Sequence, residues 1–156
     1  MIRILEAEQN KFDSLFDKTR DLYLTFFPDS SCFYDKEEGE FYFFFRDYSN
    51  LDEALNARNH ANDPFQVDFF VDEPRIKGKD ENDDNNLIDV SCNRAFVKKK
   101  GVYGNQKYHW VKSPSFRPNY GGKTEQELLK TFKNFFKNLK KTTDDIGWKQ
   151  EDSRAL

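Results

Sequence analysis

The sequence predicts an α+β fold: a single-domain, two-layer sandwich built on an antiparallel sheet of about four to five strands. We expect N- and C-terminal amphipathic helices to pack on one face of that sheet. Three observations support this prediction. Segments near both ends repeat apolar residues every three or four positions. The segments between them are short and alternate apolar with polar residues. Turn-forming residues join those short segments, as in hairpins.

The first third of the chain predicts a helix followed by a hairpin. Residues 6–26 carry one apolar stripe, and the turn residues that begin at Pro28 end the helix. Residues 33–34 and 41–46 are aromatic runs that favour strands. The acidic segment between them is the expected turn, in which Gly39 is free to adopt a positive φ.

The middle of the chain predicts a short helix and three more strands. The helix begins at a sequence resembling a capping box that starts with Ser49. Residues 66–72 alternate apolar with polar side chains, which is typical of a half-buried strand. Residues 74–86 are rich in Asp, Glu and Asn and predict an exposed loop. Residues 87–99 and 106–112 form the clearest hairpin, because glycines and an asparagine separate two strand-like runs.

The last third predicts the second long helix. It begins at Thr124, where Glu127 completes a capping box, and its apolar stripe ends near Lys141. We therefore assign residues 1–141 to a single domain and expect residues 142–156 to form a loosely ordered tail, apart from Ile146 and Trp148.

Composition excludes several classes of protein. The 17 phenylalanines among 156 residues supply enough apolar surface for a compact core. The two cysteines cannot build a disulfide framework or a four-ligand zinc site. The chain has neither a signal-peptide core nor the apolar run of about 20 residues that crosses a bilayer. We expect a cytoplasmic protein without membrane contact, bound metal or cofactor.

One motif resembles a nucleotide site but departs from it. Residues 121–124 read Gly-Gly-Lys-Thr at the start of a helix, like the end of a phosphate-binding loop. Arg117 occupies the position where that loop requires its first glycine. A weaker alternative stays open, in which Lys123 and the free N–H groups of the helix start hold an anion.

The most informative feature is a reversal of charge along the chain. Residues 27–90 contain 17 acidic and 6 basic residues, whereas residues 91–141 contain 2 acidic and 13 basic residues. The formal net charge of −3 conceals this segregation. A surface polarised in this way selects and steers charged partners.

Two candidate surfaces follow from the strand pattern. The acidic surface is expected to form where two strands pair, and it comprises Asp68, Asp72, Glu73 and Asp89. The basic surface interleaves lysines with aromatic residues, and it comprises Lys98, Lys99, Lys100, Lys107, His109, Lys112, Arg117 and Lys123. Lysines on the outer face of the last helix are equally typical of an ordinary solvated helix.

These features favour a non-enzymatic, macromolecule-binding protein that acts through charge-complementary surfaces. A small inhibitor, immunity or anti-defence protein of phage or bacterial origin with a protein partner is the preferred interpretation. One alternative is a nucleic-acid-binding protein that uses residues 94–141. Another is a small enzyme with His109 and the strand carboxylates in one cleft. Salt-sensitive, head-to-tail self-association is a further expectation.

Overall fold

The computed structural model describes residues 2–75, 86–101, 107–112 and 122–151, with side chains from Lys11 onward. Most of the loop expected over 74–86 lies outside these ranges. So do residues 102–106 in the β4–β5 connection, residues 113–121 with Arg117, and the last five residues.

Five strands form one antiparallel meander, in which each strand pairs with the next one along the chain. They are β1 (Ser31–Asp35), β2 (Glu40–Phe44), β3 (Phe65–Asp72), β4 (Asp89–Lys98) and β5 (Tyr108–Trp110). The β3–β4 pair runs from Phe65 opposite Val97 to Asp72 opposite Asp89, and its register shifts at Asp68. The predicted antiparallel sheet is confirmed.

Three helices accompany the sheet: α1 (Ile2–Phe26), α2 (Leu51–Asn59) and α3 (Glu125–Ile146). The long helices α1 and α3 share one core with the sheet and pack on the same face, as predicted. α2 packs on the opposite face, where it forms a second, smaller core.

The main core is built largely of aromatic rings. Phe43 of β2 lies at its centre, with ring centroids 5.8 Å from Phe69 of β3 and 5.2 Å from Phe136 of α3. Tyr23 of α1 approaches Phe43 to 4.9 Å and donates its hydroxyl hydrogen bond to the Phe44 carbonyl. Edge-to-face and tilted ring pairs at such distances add to the stability gained from burial alone.

The sheet face opposite α1 and α3 is buried over β1 and β2. Tyr42 and Phe44 point to that face and are buried with Ala54 of α2 and with Tyr48. β2 is therefore buried on both faces, because α2 covers the face that a two-layer sandwich would leave open. The face remains partly open farther along the sheet, where Trp110 of β5 is exposed.

Local sequence signals locate most of the element boundaries. Gly39 adopts φ +67° in the β1–β2 turn, as predicted. Thr124 and Glu127 form the capping box of α3. α2 is capped by Asn50 instead of Ser49, since the Asn50 side chain accepts the hydrogen bond from the Glu53 N–H.

The C-terminal boundary differs from the prediction. α3 continues to Ile146, and the residues after it are packed against the domain. Trp148 is 3% exposed, lies against Phe45 and donates to the Lys98 carbonyl at 2.6 Å. Gln150 donates to the Phe45 carbonyl at 2.9 Å. Residues 142–151 thus belong to the domain.

Two smaller observations complete the description. Cys32 and Cys92 are free thiols, and burial raises their pKa values to about 12 and about 11. None of the helices in the described ranges has both the length and the apolar character of a membrane span.

Candidate functional site

A groove of about 440 Å³ opens where α1, the β1–β2 turn and the end of β3 meet. Its lining carries five carboxylates and one lysine together with apolar residues. The charged lining residues are Asp13, Lys36, Glu37, Glu38, Asp72 and Glu73. We call this feature the acidic groove. It includes two of the four residues predicted for the acidic surface.

Two lysines neutralise part of this charge. The Lys36 ammonium lies 3.1 Å from the Asp13 carboxylate, and the Lys11 ammonium donates to Glu73 at 2.7 Å. Within the described ranges, Glu37, Glu38 and Asp72 form no ion pair. The groove therefore keeps a local excess of negative charge that can attract a cationic partner.

The β1–β2 turn fixes the positions of Glu37 and Glu38. The Asp35 carboxylate accepts hydrogen bonds from both of their backbone N–H groups, at 3.1 and 3.2 Å. Gly39 then closes the turn with its positive φ, and its carbonyl accepts a hydrogen bond from the Val71 N–H. Because the turn is tied to β3, the glutamates are held beside the end of that strand.

Asp72 and Asp89 form a cross-strand pair of like charges beside the groove. The pKa of Asp89 is raised, first by burial and second by the charge of Asp72, while Arg75 lowers it. Like charges directly opposite in an antiparallel pair destabilise the sheet. A positively charged group bound here would relieve that repulsion.

The apolar residues of the groove are aromatic and aliphatic. Phe12, Tyr34, Phe70 and Val71 contribute to its lining. Phe70 is 41% exposed, which is unusual for so large an apolar side chain in this protein. Burial, followed by the nearby charges of Asp13 and Asp35, raises the pKa of Tyr34 to about 12, so its hydroxyl stays protonated. The groove thus combines surrounding negative charge with an accessible apolar contact.

Asp68 does not belong to the acidic surface, which corrects the prediction. Its side chain is 1% exposed and accepts a hydrogen bond at 3.2 Å from Arg58 of α2. The Arg58 side chain is 8% exposed and its guanidinium lies over the Tyr42 ring. Strand alternation correctly places Asp68 on the face opposite the long helices. That face is covered at this point by α2, which the pattern of β3 alone does not reveal.

The buried pair has a third charged neighbour in Glu40. Burial raises the pKa of Glu40, the hydrogen bond from Tyr42 lowers it, and the Asp68 charge raises it again. Asp68 Oδ1 and Arg58 Nε are buried and make no hydrogen bond within the described part of the chain. This cluster lies between α2 and the sheet, away from the acidic groove.

The predicted basic residues divide between two places. Lys98, Lys99, Lys100, Lys107, His109 and Lys112 lie together at the end of the β4–β5 pair. Lys123 lies at the other end of the sheet, because its backbone forms an isolated bridge with Ile88. Arg117 is outside the described residues.

His109 is exposed and lines a groove of about 400 Å³ with Lys99, Thr142 and Asp145. Its strand partner Val97 is eight residues along β4 from Asp89, or roughly 25 Å at the usual rise of a strand. The structure therefore does not bring His109 into one cleft with Asp72 and Asp89. The described residues also contain no group of three or more His, Cys, Asp or Glu side chains arranged to hold a metal ion.

Sequence reasoning missed several residues of the groove. Asp13 lies within the predicted helix over 6–26, and Glu37 and Glu38 lie within the expected turn, so the predicted acidic surface did not include them. The density of acidic residues in the 35–40 turn was an available signal. The approach of α1 to that turn was not, since it depends on long-range packing.

Comparisons with family models, curated proteins and solved structures gave no match to this chain.

Proposed function

We propose that this protein is a non-enzymatic binding protein whose acidic groove receives a basic segment of a partner protein. The proposal includes an inhibitor role, in which the acidic groove binds and blocks a basic surface that the partner needs for another interaction. The proposal depends on one observation: five carboxylates and an exposed phenylalanine, Phe70, line the same groove.

The charge pattern supports a cationic partner. Three of the lining carboxylates have no ion-pair partner in the described ranges, and Asp72 faces Asp89 across the strand pair. Complementary charge increases the rate of encounter and discriminates against partners of the wrong sign. Nucleic acid phosphates would be repelled by this groove, so the polymer that fits it is a polypeptide.

The apolar residues of the groove favour a cationic side chain over an isolated ion as its ligand. Lysine and arginine have apolar stems that pack on aromatic surfaces while their charged groups reach carboxylates. Phe70 and Tyr34, which line the groove together with Glu38 and Asp72, offer such surfaces. Aromatic residues also dominate the energetics of many protein interfaces, because they bury a large area with few rotatable bonds.

Affinity capture from the source cell tests the proposal. The native protein and two variants, each lacking two negative charges, are immobilised at equal density. The groove variant is Glu38→Gln/Asp72→Asn. The control is Asp145→Asn/Glu151→Gln, which changes two exposed carboxylates near the end of α3. We expect a partner that the native and control proteins retain and the groove variant loses, as shown by quantitative mass spectrometry.

Anisotropy measurements with a labelled Arg- and Lys-rich peptide measure how much affinity the groove variant loses. Exposed ion pairs are worth about 0.2–1 kcal/mol each, so losing two lowers affinity by roughly 2- to 30-fold at low salt. Phe70→Ala should weaken binding without unfolding the protein. Equal binding by the groove and control variants would contradict the proposal, since the effect would then depend on overall charge.

A further inference from the structure

A second surface, independent of the acidic groove, lies on the sheet face opposite α1 and α3. Strand register places Arg94, Phe96 and Trp110 on this face, because Arg94 pairs with Asp68 and Phe96 pairs with Trp110. α2 covers the neighbouring part of the face, where Arg58 contacts Asp68. Farther along this face Arg94 and Trp110 are exposed and Phe96 is partly buried, while the Lys98 ammonium lies 3.5 Å from the Ala61 carbonyl. We call this region the open face.

The open face presents an exposed aromatic platform. Trp110 is 61% exposed, and its ring centroid lies 4.8 Å from that of Phe96 with the planes at 75°. Trp110 also lines the groove of about 400 Å³ that it shares with His109, Asp145 and Ile146, so part of its ring is accessible from that groove. An exposed tryptophan held by a ring neighbour on a strand is a rigid surface on which a flat group can stack.

Positive charge surrounds this platform. Arg94 is exposed and donates to the neutral Gln66 side chain at 3.0 Å, so its charge is not neutralised by that contact. Lys99, Lys107 and Lys112 are exposed on and beside the β4–β5 pair. None of these four cations forms an ion pair within the described residues. Asp68, on the same sheet face, is buried and paired with Arg58, and Asp145 of α3 lines the groove that Trp110 shares with Lys99.

We propose that the open face binds single-stranded nucleic acid, with a base stacked on Trp110 and phosphates contacted by Arg94 and the lysines around β5. Single strands expose the flat faces of their bases, whereas a duplex stacks them internally. Aromatic side chains on an open sheet, flanked by Lys and Arg, supply both of the interactions that a single strand needs. The acidic groove at the other end of the sheet restricts the strand to this region, because it repels phosphates.

Two observations favour nucleic acid over a protein on this surface. The residues around the platform are cationic, whereas the centres of protein interfaces are usually depleted of lysine. The exposed aromatic area is limited to Trp110 and part of Phe96 and suits a base better than a hydrophobic protein core.

Tryptophan fluorescence provides a direct test. The chain has two tryptophans, and Trp148 is buried, so stacking on Trp110 should quench the exposed component of the emission. The probes are a dT oligonucleotide and a U oligonucleotide, each about 12 nucleotides long, within the site sizes of about 4–16 nucleotides known for single-strand binders. Titrations at low salt should show saturable quenching by both probes and weaker binding to a duplex of equal length.

Matched variants separate stacking from general attraction. Trp110→Ala should lower affinity about 5- to 100-fold, with circular dichroism and the melting temperature unchanged because the side chain is largely exposed. Arg94→Gln should reduce the slope of log K against log salt by about 0.7, the value expected for one lost phosphate contact to a single strand. Lys133→Gln, on the outer face of α3, removes the same charge elsewhere and should leave the slope unchanged.

Several results would overturn the proposal. They are the absence of binding at low salt, undiminished affinity of folded Trp110→Ala, and an equal effect of Lys133→Gln and Arg94→Gln. Trp110-dependent capture of a polypeptide that the oligonucleotides cannot displace would instead assign the open face to a protein. Glu38→Gln/Asp72→Asn should leave oligonucleotide binding intact, so failure of the acidic-groove proposal would be seen separately.

Discussion

Replacing Arg58 with methionine tests the account of the buried charges between α2 and the sheet. Methionine keeps the length and helix propensity of the side chain but removes its charge. Asp68, which is 1% exposed, would then lose its only ion-pair partner in the described ranges. Glu40, also buried, would remain beside it.

The expected loss can be worked from the structure. Removing one partner of a buried ion pair costs about 3–5 kcal/mol, because the remaining charge stays desolvated. Contacts of the guanidinium with Tyr42 and Phe44, at 5.4 and 6.0 Å, add about 0.5–1 kcal/mol. Protonation of a carboxyl in the cluster offsets part of this cost. We therefore expect a loss of about 3 kcal/mol at pH 7.5.

The pH dependence of the variant has a defined sign. The pKa of Glu40 is raised in the folded state, so its contribution to stability is fully present below its unfolded pKa and is lost as the pH rises through the folded value. Arg58 lowers that pKa, so in the variant the Glu40 pKa rises further and more stability is lost as the pH increases. Arg58→Met should therefore be less destabilising at pH 5 than at pH 7.5.

Urea denaturation followed by circular dichroism measures both effects. With a slope of about 2 kcal/mol per molar urea, a loss of 3 kcal/mol lowers the midpoint by roughly 1.5 M. The double variant Arg58→Met/Asp68→Leu removes both charges and should recover most of the loss. A loss below about 1 kcal/mol at pH 7.5, or a double variant no more stable than the single one, would refute the reasoning.

Three further predictions concern the turn, the C-terminus and the charge polarity. Gly39→Ala should lower the melting temperature more than Gly101→Ala: both glycines have positive φ, but only at Gly39 would a Cβ lie 2.9 Å from the Val71 carbonyl oxygen. Equal shifts would show that the close approach is unimportant. Trp148→Ala should cost about 3–5 kcal/mol in urea, since the side chain is buried, and a loss under about 1 kcal/mol would return residues 147–151 to a loose tail. Sedimentation velocity should show salt-sensitive self-association at low ionic strength, whereas monomer alone would exclude it.

Local patterns predicted those parts of the fold that are determined locally. The capping box at Thr124 needs only residues within one helical turn. The β1–β2 hairpin needs only its turn residues and the alternation around them. The β3 alternation likewise separates Val67 and Phe69, which face the long helices, from Asp68.

The parts that were missed depend on contacts between distant segments. Asp68 is buried because α2 places Arg58 over it, and neither strand periodicity nor helix periodicity contains that information. Trp148 was expected to stand apart from the loose tail, but its partner Phe45 lies more than 100 positions earlier in the chain and could not be predicted. The acidic groove joins Asp13, Glu38 and Asp72 from three elements, so its existence follows from packing and not from any motif.

The charge reversal along the chain becomes a separation in space because the sheet is a meander. In a meander, the first and third connections between strands lie at one end of the sheet, and the second and fourth lie at the other. The end of β1 and the end of β3 are therefore neighbours, as the hydrogen bond between Val71 and Gly39 shows. Both of these ends carry the acidic residues.

The β4–β5 connection lies at the opposite end, and the lysines from Lys98 to Lys112 surround it. The two charged surfaces are thus separated by about the length of a strand, so one molecule has room for both kinds of partner. The two sites should consequently respond to separate variants: Glu38→Gln/Asp72→Asn should alter only capture of the basic protein, and Trp110→Ala should alter only binding of the oligonucleotide. If either change impaired both activities in folded protein, the two surfaces would have to act as one site, and the spatial separation inferred from the meander would not describe how the protein works.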